Sequence, residues 1–222
     1  MRYFQRLSCR GFWRQNREAI QRHYSNGIPV KSANRFALKE WAVVCQALHL
    51  GRQSLLLRKG GIQEGKEGFQ IEHREFWLYP TKFHQESDVV APDARPLLNE
   101  VKLQDPLTDS VVIRNYAVVE QVIEIHEERL LSRLCGLHVW SEQTVHDRFH
   151  YRRPGLFVLL TRIYQRAELL RMPQSPHFEG CRSWVDFPAE ITIGELSPAL
   201  AEESHVRRME FMRSNLTAVV FG

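Results

Sequence analysis

Residues 156–164 read Leu-Phe-Val-Leu-Leu-Thr-Arg-Ile-Tyr and form the most core-like segment of the chain. A Pro154-Gly155 turn signal stands directly before them. A short apolar run that follows a turn is typical of a strand buried on both faces. We therefore predict a central strand here and look for its partners on either side.

Other segments also have the composition or the periodicity of strands. Val111–Ile125 is rich in Val and Ile, which predicts one long strand or a hairpin. Shorter strands are predicted at Ser54–Arg58 and at Ile191–Ile193. Phe69–His73 and Phe76–Tyr79, which ends before Pro80, are predicted to form one strand or two strands with a bulge near Arg74-Glu75. The segments 86–109 and 173–189 are polar and contain proline, which indicates loops, the first with a short strand at 97–103.

Helical spacing and capping signals predict four helices. Apolar residues recur at helical spacing from Phe36 to Leu48, with Asn34 as a cap and Gly51 as the end. The other three helices are expected over 127–135, over 141–151 from a Ser141 cap, and from Ser197-Pro198 onward. Strands and helices do not alternate regularly, so the predicted fold class is α+β, a mixed and mostly antiparallel sheet with flanking helices in a single domain.

Length and composition exclude several classes of protein. The 222 residues are 43% hydrophobic and 25% charged, which is enough apolar surface for a core and excludes disorder of the whole chain. No run of apolar residues is long enough to cross a bilayer, so no membrane association is expected. The four cysteines are far apart, which argues against a zinc ribbon, and Cys45 and Cys135 are predicted to be small buried hydrophobes. These features favour a cytoplasmic protein.

The positive charge is concentrated in the first 35 residues. Eight basic residues stand there against Glu18 alone, a balance of +7, and residues 36–222 then carry −3 of the total of +4. Three interpretations remain open: an unstructured or mis-started leader, a basic arm for nucleic acid, or an organelle transit peptide. We predict a disordered leader over 1–35 and an α+β domain over 36–222.

Several short phrases together resemble a known family. In chain order they are Ala37-Leu38-Lys39-Glu40-Trp41, Leu57–Ile62, Phe76–Thr81, His84-Gln85, His138–Trp140, Arg148-Phe149-x-Tyr151 and Leu160-x-Arg162-x-Tyr164. In this order they resemble the uncharacterised bacterial family called domain of unknown function 1802, over about residues 36–170. The family carries no settled activity, and the resemblance implies a link to restriction-modification systems.

The strongest candidate site is a basic and polar one. Arg58 and Lys59 end a predicted strand at the turn Gly60-Gly61, whose backbone N–H groups can bind an anion. His84-Gln85 follows another strand, His138 begins an extended piece, and Arg148 lies on the next helix, so we expect one shared cleft. The alternative is a tight turn with solvated bases. Aromatic residues such as Trp41, Trp77 and Trp140 can stack bases or simply form the core.

Two weaker patterns suggest a metal. His146 and His150 share a helix face, and His138 is a possible third ligand of a zinc ion. Glu100-x-Lys102, with Asp88 or Asp93 before it, resembles half of a nuclease motif that holds magnesium. The expectation is nevertheless that the protein has no cofactor, with a divalent metal as the alternative.

Three functions follow as hypotheses. The first is a nucleic-acid-associated accessory protein that binds phosphate and base in the basic cleft. The second is a metal-dependent phosphoester hydrolase or nuclease, and the third is a protein-binding module. The sequence does not decide whether the protein is an enzyme.

Overall fold

One mixed sheet organises the residues that our computed structural model describes, which are 31–59, 73–81, 86–103, 110–173, 175, 178 and 182–217. Its strands are β1 (Ala33–Trp41), β2 (Leu55–Arg58), β3 (Glu75–Thr81), β4 (Ser110–Ile125), β5 (Leu156–Pro173), β6 (Trp184–Thr192) and β7 (Leu196–Pro198). The strand order is β2-β5-β4-β3-β1-β6, and β7 pairs with β5. β1 and β3 are parallel, whereas the other pairs are antiparallel. The predicted α+β class with a mixed, mostly antiparallel sheet is confirmed.

Strands β4 and β5 form the long axis of the sheet. They pair from Ser110 opposite Pro173 to Ile125 opposite Leu156, with register shifts after Ile113 and Val119. Such shifts bend a strand and increase its twist. The strand predicted at residues 156–164 is confirmed, and it continues nine residues further, to Pro173. The long segment over 111–125 is one strand and not a hairpin.

The sheet curls until its two sides approach each other. β2 is the first strand in the order of the sheet, and Arg58 is its last residue. Arg58 Nη1 donates a hydrogen bond to the carbonyl of Lys39 on β1 at 3.2 Å. β1 lies next to the opposite edge strand, β6. The curl therefore brings the carboxyl ends of β1 and β2 together.

The α-helices of the described residues are α1 (Ala42–His49), α2 (Arg95–Leu103), α3 (Glu142–His150) and α4 (Glu202–Thr217), and 3₁₀ helices cover Pro92–Ala94 and Glu128–Leu134. Six of the eight residues of α1 are buried, so it is a core helix rather than an amphipathic surface helix. In α3, Ser141 Oγ accepts the Thr144 N–H at 3.3 Å, which confirms the predicted cap. Val145 and Phe149 point inward as expected.

Four of the element predictions are wrong in type or extent. The helix expected from Phe36 begins at Ala42, because residues 33–41 pair with strands on both sides. Residues 97–103 form helix α2 instead of a strand, with Leu97 and Leu98 as its buried face. The loop expected up to residue 189 contains most of β6. Ser197-Pro198 belongs to β7, which pairs with β5, so the last helix begins later, at Glu202.

The sheet begins within the segment assigned to the leader. β1 starts at Ala33, and Asn34 is 2% exposed. Its Nδ2 donates to the Glu75 carbonyl at 2.7 Å and to the Tyr116 hydroxyl at 2.9 Å. Buried amides contribute to stability through such hydrogen bonds. Residues 33–35 are therefore part of the folded unit, which corrects the boundary predicted at residue 36. Residues 1–30 lie outside the described residues.

Helix α4 docks on the sheet through charged groups as well as apolar ones. Met209 and Met212 are buried in the core, and the buried His205 lies 2.6 Å from Glu120 on β4. Arg213 Nη2 donates to the other oxygen of Glu120 at 3.0 Å. Burial by itself would raise the pKa of Glu120, but the His205 hydrogen bond and the nearby positive charges outweigh it and lower the pKa.

Two smaller predictions concern cysteine burial and membrane spans. Cys45 is buried on α1 as predicted, but Cys135 is exposed, because it follows the 3₁₀ helix in a surface turn. None of the helices in the described ranges is both long and apolar enough to cross a bilayer.

Candidate functional site

A buried carboxylate marks the place where β1 and β2 meet. Glu40 is 2% exposed and lies one residue before the end of β1. Its Oε1 accepts the Trp41 N–H at 2.8 Å. Its Oε2 lies 3.5 Å from Arg58 Nη1, yet it accepts no hydrogen bond from the residues that the structure describes. A buried acceptor without a hydrogen-bond donor is costly, and the charge of the Arg58 guanidinium offsets part of that cost.

Arg58 reaches this carboxylate from the end of β2. Its side chain is 15% exposed, so it touches solvent while it faces Glu40. Among the described residues, its hydrogen bond to the Lys39 carbonyl uses Nη1. A guanidinium has five N–H donors in a rigid fork. Arg58 is therefore able to bind a further acceptor from the solvent side.

Arg148 supplies a second guanidinium from helix α3. Its Cζ lies 4.0 Å from the centroid of the Trp140 ring and 5.6 Å from that of Trp41. Its Nη1 donates to the Leu57 carbonyl at 3.4 Å. Burial lowers the pKa of Arg148, and the charge of Glu40 opposes this effect. Arginine stays protonated in proteins, so Arg148 is a cation that contacts two indole rings and a backbone carbonyl.

His138 completes the group as a neutral side chain. Its Nδ1 accepts the Trp140 N–H at 3.2 Å. Burial, together with the charge of Arg148, lowers the pKa of His138 to about 4. The imidazole is therefore uncharged at neutral pH and cannot serve there as a third cation. We call these six residues the Glu40 cluster: Glu40, Trp41, Arg58, His138, Trp140 and Arg148.

Lys59 has a different role from the one its sequence context suggests. Its Nζ donates to the carbonyls of Phe149 at 2.6 Å and of Gly155 at 2.8 Å, and also to that of Arg153. An ammonium has three donors, and these carbonyls use all of them. Lys59 therefore joins the end of β2 to the end of helix α3.

Four predicted site residues cannot be compared with the structure. Gly60, Gly61, His84 and Gln85 lie outside the described residues. Of the four described members of the prediction, Arg58 and Arg148 lie close to Glu40. His138 lies beside Trp140 and close to Arg148, whereas the ammonium of Lys59 binds backbone carbonyls. Whether they bind a ligand stays a prediction.

The three histidines do not form one group. His146 and His150 are adjacent on α3, with ring centroids 4.5 Å apart, and both contact Glu128 at the start of a 3₁₀ helix. His138 belongs to the Glu40 cluster instead. Within the described ranges, Glu128, His146 and His150 are the one set of three metal-ligating side chains close enough to share an ion.

The Glu-x-Lys pattern lies on a helix. Glu100 and Lys102 are exposed residues of α2, and the two acids considered with them, Asp88 and Asp93, are exposed in the segment before it. The nuclease hypothesis assumed that Glu100 and Lys102 lie on a strand of the sheet. The location on α2 therefore contradicts the premise of that pattern.

Sequence reasoning missed Glu40 and Glu128. Glu40 belongs to the segment Ala37–Trp41, for which the sequence predicted a helix, and on that helix the burial of Glu40 could not be predicted. On a strand it shares the core face with Leu38, and an acid on a core face is a signal of function or of a buried ion pair. Glu128 carried no signal, since it contacts the histidines across a gap of eighteen residues or more.

The family is decided by a match over most of the chain. Residues 37–210 match the family described as domain of unknown function (DUF1802). The chain belongs to this family. The match confirms the resemblance and extends it beyond residue 170.

Two other comparisons add little. No curated protein sequence matches the chain. Two crystal structures of ASCH from Zymomonas mobilis, the first of a mutant, are similar at 12% and 13% identity with TM-scores of 0.42 and 0.38. The first alignment covers 82% of this chain and 97% of that one, and the second covers 79% and 92%.

Proposed function

We propose that this DUF1802 protein is a nucleic-acid-associated accessory protein that binds a phosphate and a base at the Glu40 cluster. The observation that carries the proposal is the arrangement of Arg58 and Arg148 around one buried carboxylate whose Oε2 has no hydrogen-bond donor among the described residues. Two cations against one anion leave a local excess of positive charge. That excess favours an anionic ligand.

The phosphate would bind at Arg58. This guanidinium is partly exposed, and its described contacts leave donors for a phosphate oxygen. Arginine suits this role because its planar fork matches the geometry of phosphate oxygens. Arg148 is held by Trp140 and the Leu57 carbonyl, and adds positive charge behind the phosphate.

The base would bind near Trp41 and Glu40. Trp41 is half-buried and packs edge to face against Trp140, with the two ring centroids 4.6 Å apart. Aromatic faces stack the unpaired bases of single strands, whose edges then become available for hydrogen bonds. A carboxylate such as Glu40 accepts hydrogen bonds from base amino groups. This favours a single-stranded ligand over a duplex.

The test is a charge-neutral double variant. Glu40→Gln with Arg58→Gln removes one anion and one cation, so the net charge and the non-specific attraction to nucleic acid stay the same. The matched control is Glu203→Gln with Arg207→Gln, an exposed ion pair on α4 with the same charge arithmetic. Full-length proteins are titrated into fluorescein-labelled single-stranded RNA and DNA, and anisotropy is recorded over a range of salt concentrations.

The expected result is a loss specific to the cluster. The Glu40→Gln/Arg58→Gln protein should bind about tenfold or more weakly, because one charge-assisted hydrogen bond is worth about 1.5–3 kcal/mol. Its salt slope should fall by about 0.7, the value for one phosphate contact on a single strand. The control should match the parent. Equal affinity and equal slope for the cluster variant would overturn the proposal.

The basic leader needs its own control. The same measurement is repeated in full-length proteins whose six arginines within residues 1–30 are replaced by glutamine. Under the proposal, the cluster variant still weakens binding in this background. If all measurable binding disappears with the arginines and the cluster variant has no effect in the intact chain, nucleic acid binds the leader and not the cluster.

A further inference from the structure

A second group of polar side chains lies on the outer face of α3. His150 Nε2 is 3.1 Å from one oxygen of Glu128, and His146 Nε2 is 3.3 Å from the other. The three ligand atoms lie within 4.8 Å of one another. All three side chains are exposed, so an ion has access to them.

We propose that Glu128, His146 and His150 bind a zinc ion. Zinc accepts imidazole nitrogens and carboxylate oxygens at about 2.0–2.2 Å in a tetrahedral arrangement, which puts neighbouring ligand atoms about 3.3–3.5 Å apart. The two nitrogen–oxygen distances, 3.1 and 3.3 Å, are close to that spacing. Two nitrogens and one oxygen favour zinc over magnesium or calcium, which prefer oxygen ligands alone.

The ligands stand on supports that packing has already fixed. His146 and His150 are four residues apart on α3, which holds its register through the buried Val145 and Phe149. Glu128 begins a 3₁₀ helix that is anchored by the buried Leu134. Sites built on such packed elements keep their ligand geometry with little reorganisation.

A further carboxylate lies near one of the imidazoles. Asp147 Oδ1 is 3.6 Å from Nδ1 of His146, which is longer than a hydrogen bond, and Gln143 Nε2 donates to the same oxygen at 2.7 Å. The other ring nitrogen of His146, Nε2, faces Glu128, where the ion would bind.

The site would connect two elements next to the Glu40 cluster. Helix α3 carries both the histidines and Arg148, and the 3₁₀ helix with Glu128 follows β4. The ion would therefore clamp α3 to the end of β4. Three protein ligands leave a fourth position for water or another ligand.

The experiment measures zinc binding by the full-length protein after treatment with a chelator. Zinc chloride is titrated in competition with a chromophoric chelator, which gives the number of bound equivalents and their affinity. We expect His146→Ala and His150→Ala each to lose one equivalent relative to the parent. Glu128→Gln should weaken that equivalent about tenfold or more, because the neutral amide is a poorer zinc ligand than the carboxylate.

The matched control is His126→Ala. His126 Nε2 lies 3.3 Å from Glu124 in an exposed pair that has no second imidazole among the described residues, so its loss should leave the zinc equivalents unchanged. Zinc should also raise the melting temperature of the parent and of His126→Ala, but not that of His150→Ala. Circular dichroism in chelator verifies that each variant is folded. If His146→Ala and His150→Ala bind zinc as the parent does, the proposal is wrong. If one of these two variants does not fold, the other histidine variant and Glu128→Gln still test the proposal.

Discussion

Replacing Lys59 by methionine tests how the end of β2 is held. The variant keeps most of the aliphatic stem but removes the ammonium that donates to the carbonyls of Phe149, Arg153 and Gly155. Because these carbonyls belong to the end of α3 and the turn before β5, the loss should loosen the junction of three elements. We therefore expect Lys59→Met to lower the stability of the protein, whereas replacing an exposed and solvated lysine should not.

The magnitude follows from the contacts. A hydrogen bond to a charged group contributes about 1.5–3 kcal/mol, but the three bonds share one ammonium and do not add. In the variant, the Phe149 carbonyl still accepts a hydrogen bond from the Gly155 N–H at 3.1 Å, so it does not lose every donor. Burial and the charge of Arg153 lower the pKa of Lys59, which shows that they disfavour its charged form and offset part of the stabilisation by the three hydrogen bonds. We expect a net loss of about 2 kcal/mol, or about 4–8 °C in melting temperature for a domain of this size.

Thermal and urea unfolding followed by circular dichroism measure the difference. The matched control is Lys102→Met, since Lys102 is an exposed lysine on α2. Its effect should remain within about 0.5 kcal/mol, as for most surface substitutions. If Lys59→Met unfolds at the same temperature as Lys102→Met, the three carbonyl contacts do not contribute to stability and the reasoning is refuted.

Three more predictions concern stability. Gly51→Ala should lower the free energy of unfolding in urea by about 2 kcal/mol or more, because the φ of Gly51 is +65° and a Cβ there would lie 2.7 Å from the Leu200 side chain. Gly136→Ala is the control: its φ is +75° but a Cβ would meet open space, so the free energy of unfolding should fall by about 1 kcal/mol. Glu120→Gln should destabilise the protein at pH 7, because the pKa of Glu120 is lower in the folded protein than in the unfolded chain and its ionised form therefore stabilises the fold. This stability is lost as the carboxylate is protonated, so the difference in unfolding free energy between variant and parent should shrink as the pH falls below 4.5. An unchanged difference at pH 3.5 would argue against the prediction. Deleting residues 1–35 should lower the melting temperature because it removes the buried Asn34, while a shorter deletion that leaves β1 intact should not; equal melting of both forms would contradict this.

Local patterns were sufficient for the elements whose signals are local. The strand that begins at Leu156 and the helix that begins after Ser141 were predicted correctly, because a buried apolar run and a side-chain cap act within a few residues. The helix expected from Phe36 was wrong. Its apolar spacing is compatible with a helix, but backbone pairing with β3 and β6, distant in sequence, decides for a strand.

The candidate site divides in the same way. The sequence by itself placed Arg58 at the end of a strand and Arg148 on a helix, and from this we predicted that they share a region. The tertiary structure decided that Glu40 lies close to both of them and that the ammonium of Lys59 donates to backbone carbonyls. It also paired His146 and His150 with Glu128 rather than with His138. The physical reason is that each of these contacts depends on the curl of the sheet and on helix packing, which join residues far apart in the chain and leave no periodic trace in the sequence.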